Sequence, residues 1–177
     1  AGIINEYHEP PLFLSVERPT YSKYIIPTTW FGNGIAFYGN MAGVNFRLAL
    51  MEDLEGEGIR SSGIRGGQGK GYKTTAYDMV KNVSINYTGI SGLRVGGSYT
   101  MHNAPTSAYF ATDTEGNSIV NDADSASVGF SLVELHAKYN ANNVYAVLEY
   151  GSISYKNNPL GYETSGGYYV DLGYNVG

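Results

Sequence analysis

The sequence predicts an all-β chain whose strands form an antiparallel transmembrane β-barrel, with about eight strands visible. Three observations predict it. Arms of about ten residues alternate apolar and polar side chains with a period of two, which suits a tilted membrane-spanning strand. Short turns alternate with long polar connections, the asymmetry of outer-membrane barrels. No apolar run reaches the roughly 18 to 20 residues of a spanning helix, and a mean hydropathy of −0.23 fits strands that wet one face.

The 177 residues carry no abrupt change of composition and read as one domain. With 24 Gly and 17 Tyr against one Trp, they suit strands and turns better than a helical bundle. The net charge of −5 gives no global electrostatic case for nucleic acid. The absence of cysteine excludes disulfides and thiolate metal sites. The start has no basic region, hydrophobic stretch or cleavage site, so it does not read as a signal peptide.

Taken in order, residues 5–11 cannot form a central strand, because Pro10 and Pro11 remove backbone donors. A short strand over 12–16 ends at Glu17-Arg18-Pro19, and Arg18 would lie in a segment able to fold inward. Residues 25–30 lead into an arm over 32–39, closed by a tight turn at Asn40-Met41. The next arm sets Val44, Phe46, Leu48 and Leu50 against Asn45, Arg47 and Ala49. A mid-strand Arg on a face of small polar residues is expensive unless that face is wet, so water is assigned to that side.

From 52 to 77 the alternation stops, which reads as a long polar connection. The hairpin over 81–102 then gives the cleanest pattern in the chain. Val83, Ile85 and Tyr87 oppose Ser84, Asn86 and Thr88; after a turn at 90–92, Leu93, Val95, Gly97, Tyr99 and Met101 oppose Arg94, Gly96, Ser98, Thr100 and His102. Residues 103–125, rich in Asn, Asp, Ser and Thr, read as an exposed loop.

Beyond it, Val133, Leu135, Ala137 and Tyr139 alternate with Glu134, His136 and Lys138. The phase breaks between Leu132 and Val133, which predicts a bulge or a membrane boundary there. A turn at 140–143 leads to Val144, Ala146, Leu148 and Tyr150 against Tyr145, Val147, Glu149 and Gly151, a less polar inward set. After a loop near 157–159, Tyr168, Val170, Leu172 and Tyr174 oppose Tyr169, Asp171, Gly173 and Asn175. Tyr87, Tyr139 and Tyr174 lie near the short-turn end, where they would form an interfacial girdle.

Arg47, Arg94, Glu134, His136, Lys138, Glu149 and Asp171 therefore share the face expected to line a watered lumen. A second cluster runs through 60–73, where Arg60, Arg65, Lys70 and Lys73 stand among glycines with no acid. Exposed backbone N–H groups and cationic side chains both favour anions, so this stretch reads as an anion-attracting loop folded into a lumen, or as a solvated loop. It is not a phosphate-binding P-loop, because Ile64 and Gly71 stand where that motif needs Gly and Ser or Thr. His8, His102 and His136 lack the spacing of a metal site, and no nucleophile motif is present. Neither an enzyme nor a cofactor is expected.

The stretch Asn5-Glu6-Tyr7-His8-Glu9-Pro10-Pro11, then Val16-Glu17-Arg18-Pro19, Ile25-Ile26-Pro27-Thr28-Thr29-Trp30 and residues 32–39 resembles the middle of porins related to the phosphate-selective porin O and P family. The Glu134-Leu135-His136-Ala137-Lys138-Tyr139 and Leu148-Glu149-Tyr150-Gly151 strands resemble later hairpins of such porins. That resemblance implies a barrel of about sixteen strands, of which this chain supplies roughly half. It further implies a trimer in the outer membrane of a Gram-negative bacterium, in contact with lipid, passing small ions or solutes by diffusion. Anion preference follows if Arg47, Arg94 and Lys138 outweigh Glu134, Glu149 and Asp171, with Arg18 at a constriction. Two other readings keep a place: a barrel whose loops act as adhesin or enzyme, and a soluble all-β binding module.

Overall fold

A computed structural model describes residues 19–27, 30–73, 75–119 and 124–176. The expected strand over 12–16, the proline-rich stretch over 5–11 and Arg18 lie outside the described residues. Seven strands are found among those described: β1 (Gly34–Met41), β2 (Val44–Met51), β3 (Val80–Ile90), β4 (Leu93–Pro105), β5 (Ser127–Ala141), β6 (Val144–Lys156) and β7 (Thr164–Tyr174). They form one sheet in chain order, every neighbouring pair antiparallel. The chain is therefore all-β. The sheet is not closed: β1 and β7 are its two edges among the described residues.

Each tight turn is a place where the backbone enters the left-handed region. Ala42 and Gly43 join β1 to β2 at φ 50° and 80°, and Asn142 and Asn143 join β5 to β6 at 53° and 63°. Positive φ at both central residues twists a two-residue turn with the hand of the strands it connects. β1 therefore runs through Asn40 and Met41, where the sequence predicted its turn, and the reversal falls two residues later.

The register carries the alternation unbroken across the sheet. Leu48 lies opposite Phe37 and Val83, Tyr99 opposite Val83 and Val133, and Leu148 opposite Ala137 and Val170. These residues form an outer face. Much of it is exposed: Phe37 at 64%, Leu135 at 56% and Leu172 at 70%. Tyr87, Tyr139 and Tyr174 lie on this face beside the short turns, opposite Val95, Leu93 and Val144.

The bulge predicted between Leu132 and Val133 is absent. Leu132 pairs with Thr100 and Ile153, and Val133 with Tyr99 and Ser152, in continuous register. Phe130, Leu132, Glu134 and His136 all point to the inner face; what changes along β5 is what covers that face. The irregularity lies instead between Tyr87 and Ile90 of β3.

The stretch over 52–77 is more than a polar connection. It folds back over the inner face in two 3-10 turns, Gly56–Gly58 and Ile64–Gly67, and buries Leu54, Ile59 and Ile64 against Val80, Val128, Phe130, Leu132 and Ile153. A short helix, α1 (Tyr21–Tyr24), joins the same core with Tyr21, Ile25 and Ile26. Trp30 packs on its margin, its ring centroid 6.4 Å from that of Phe130. The core thus lies between the loop-end half of the inner face and these two inserted pieces. From Ser107 to Ile119 the second long connection is largely exposed, as expected, although β4 extends to Pro105 before it begins.

Candidate functional site

The inner face is the candidate site, and two adjacent acids set its depth. Glu52 and Asp53 follow directly on β2, and both are buried. Glu52 Oε2 accepts from Asn33 N at 3.0 Å and its Oε1 from Gly71 N at 2.9 Å. Asp53 accepts from Thr75 Oγ1 and from the backbone N–H groups of Tyr77, Asp78 and Met79 at 2.6 to 3.2 Å. A carboxylate taking several N–H donors closes both ends of the inserted stretch. His102 Nε2 then accepts from Leu54 N at 3.0 Å, fixing the insert to β4.

Asp78 is held below the ordinary carboxylate range: burial opposes ionisation, but the Asn103 N–H, Lys81 and His102 outweigh it. Glu57 is lowered in the same way. Its burial is more than offset by Ser107, which donates its backbone N–H to the carboxylate, and by Arg60. Each acid ties the insert to the strand or loop beside it.

Across β3, β4 and β5 runs a chain of polar groups. Ser98 Oγ donates to Glu134 Oε2 at 2.9 Å, His136 Nδ1 meets Glu134 Oε1, and His136 Nε2 meets Asn86 Oδ1 at 2.6 Å. Arg94 Nε also donates to Asn86 Oδ1, at 3.1 Å. Glu134 is fully buried and His136 nearly so. On β6, Glu149 lies opposite His136 and is 2% exposed, with the Tyr21 hydroxyl 3.5 Å from its Oε1. Burial and the charges of Glu149 and Glu134 push the Tyr21 phenol far above its ordinary range.

Towards the short turns the same face is polar and more open. Arg47 is exposed, and Arg94 and Lys138, direct partners in the ladder, are half-buried. Lys138 Nζ lies 5.8 Å from the centroid of the Tyr145 ring, and Asp171 accepts from the Tyr169 hydroxyl at 2.9 Å. All seven residues assigned to the lumen face from the sequence thus lie on one face, but they divide into a covered group, Glu134, His136 and Glu149, and an open one. The acids in the covered group carry no exposed charge.

Arg60, Arg65, Lys70 and Lys73 are all exposed on the insert. Arg60 Nε donates to the backbone oxygen of Glu57 at 2.8 Å, and Lys73 Nζ lies 3.5 Å from Glu55 Oε1, so the charge of Lys73 is locally balanced. The insert's own anchors went unrecognised in the sequence. Their one signal was the pair Glu52-Asp53 standing where the alternation of β2 stops. No group of three or more His, Asp or Glu able to hold a metal ion occurs among the described residues.

No protein-family profile matches the chain, and no solved structure matches it. A stretch of 56 residues, 32% of the chain, is 45% identical to an uncharacterized protein of Aquifex aeolicus (strain VF5). That match covers 13% of the Aquifex protein, which is therefore more than twice as long as this chain.

Proposed function

We propose that the chain belongs to an outer-membrane β-barrel porin of a Gram-negative bacterium, passing small ions and solutes by diffusion through a watered lumen. The observation that carries this reading is the outer face: side chains such as Phe37, Leu48, Ile85, Tyr99, Leu135 and Leu148 stay 44% to 64% exposed on six neighbouring strands, β1 to β6. A soluble protein rarely leaves so continuous an apolar surface in water, whereas lipid is its natural solvent. Strands β3 to β7, of 11 to 15 residues, are long enough to cross a bilayer at a tilt.

The insert over 52–77 narrows the lumen in this reading, and strands beyond β1 and β7 close it. The half-open charges of the inner face are Arg47, Arg94 and Lys138 against Asp171, an excess of cations that favours anions. A trimer and a preference for phosphate follow only from the resemblance to the porin O and P family.

The test is conductance of the full-length protein in a planar lipid bilayer. Stepwise currents with a reversal potential on the anion side of a salt gradient are expected. Protein that inserts and passes no current would overturn the reading. Replacing Arg47→Glu together with Arg94→Glu is expected to move the reversal potential towards cations; an unchanged value removes these two residues as determinants.

A further inference from the structure

Two glycines and one tyrosine on the inner face are fitted to each other. Gly151 and Gly167 are direct partners across β6 and β7, and neither sits at positive φ, so no turn geometry demands them. What they meet is α1. A Cβ added at Gly151 would lie 2.6 Å from Tyr21 Oη and 3.1 Å from Ile25 Cγ2; one at Gly167 would lie 3.1 Å from Tyr21 Cδ2. Real Cβ atoms do not come as close as 2.6 Å, so the glycine pair forms a notch in which the Tyr21 ring sits.

The notch adjoins both buried acids. Gly151 is the ladder partner of Glu134, and Glu149 lies two residues before it on β6, on the same face. Tyr21 is 7% exposed, Glu149 2% and Glu134 0%, and the phenol feels the charges of both acids. Protein laid over a carboxylate lengthens the closest approach of a passing ion, and the Coulomb energy between the two falls as that distance grows.

We propose that Tyr21, seated in the Gly151–Gly167 notch, is a selectivity-determining lid that withholds the Glu134 and Glu149 carboxylates from the ion path. The proposal rests on the porin reading. It makes anion preference depend on a packing contact as well as on the number of cations: with the lid seated, Arg47, Arg94 and Lys138 face Asp171, and without it two further acids join the opposing side.

Two measurements on the full-length protein in detergent and in bilayers separate the lid from the pore. The first is labelling with a water-soluble carbodiimide and an amine, mapped by mass spectrometry, with the exposed loop residue Glu115 as internal reference. Glu134 and Glu149 should label at background in the wild type and in Tyr21→Phe, which keeps the ring. They should rise severalfold towards the Glu115 level in Tyr21→Ala and in Gly151→Val, which fills the notch from the other side.

The second is the reversal potential in a salt gradient, which should move towards cations in Tyr21→Ala and Gly151→Val and stay put in Tyr21→Phe. Background labelling in both disruptive variants overturns the lid. Raised labelling with an unmoved reversal potential overturns its role in selectivity. Absence of wild-type conductance overturns the underlying porin reading and the role in selectivity with it, whereas labelling still reports on the lid itself.

Discussion

The two halves of the inner face share strands, register and alternation, yet one is dry and the other is wet. Towards the long connections, Phe130, Leu132 and Ile153 meet Leu54, Ile59 and Ile64 of the insert and are almost wholly buried. Towards the short turns, Asn45, Arg47, Asn86 and Arg94 keep contact with solvent. The difference teaches that the period of a strand fixes which side a residue faces, while the environment on that side depends on what the intervening chain lays over it.

The strongest way to break the comparison is to remove the cover. Ile64→Ala leaves a cavity in the dry half, and a loss of about 2 to 5 kcal/mol is expected from large-to-small core truncations. Denaturant titration in detergent would read it. A loss under about 0.5 kcal/mol would mean that the insert rests loosely on the sheet.

The outer face offers the next largest effect. Leu148→Arg on that face should cost about 2 to 4 kcal/mol if the position sits near the centre of a bilayer. Nearer the interfaces the cost falls to about 0 to 1 kcal/mol, so denaturant titration in lipid vesicles reads the depth of the position. A loss under about 0.5 kcal/mol in vesicles would place Leu148 outside the hydrocarbon region.

Asp53→Ala comes third. It strands the N–H donors of Tyr77, Asp78 and Met79, and a loss of about 1 to 3 kcal/mol is expected because the site is buried. Protease cleavage within 52–79 should accelerate while the strands stay protected. Unaltered cleavage would show that Glu52 and His102 hold the insert unaided.

The smallest effect is the response to acid. Asp78 and Glu57 are both lowered from ordinary values of 3.8 and 4.5, so their contribution is fully present above those values and disappears as pH falls through the lower folded ones. Protease sensitivity of the insert should therefore rise only below about pH 4, and Asp78→Asn should flatten that rise. A transition centred near pH 6 would point to another group.

The sheet was legible because its signal is local. Val83, Ile85 and Tyr87 announce a strand without reference to anything else in the chain, and the positions of Arg47, Glu134 and Asp171 on one face follow from parity alone. The insert was not. Leu54, Ile59 and Ile64 stand five residues apart in a polar stretch, and their 3-10 turns impose no period that a reader could detect.

Nor was α1 legible, since four residues cannot show a helical stripe and Tyr21 is buried by partners on β6 and β7. The apparent phase break at Leu132 had the same origin. An apolar residue on the face assigned to water looks out of step until the insert that dries its surroundings is known. In the candidate site, the identities of the inner-face charges could be read, but the division of those charges into covered and open could not.

The order of the strands has a kinetic consequence. Every pairing in the sheet joins neighbours in sequence, and three of the six, β1 with β2, β3 with β4 and β5 with β6, can zip from a two-residue turn such as Ala42-Gly43 or Asn142-Asn143 with little loop-closure entropy. The contact between Tyr21 and Glu149 spans 128 positions. It has nothing to close upon until β6 and β7 have formed its seat, so the helix, though first in the chain, is set into its notch only after the far edge of the sheet is in place.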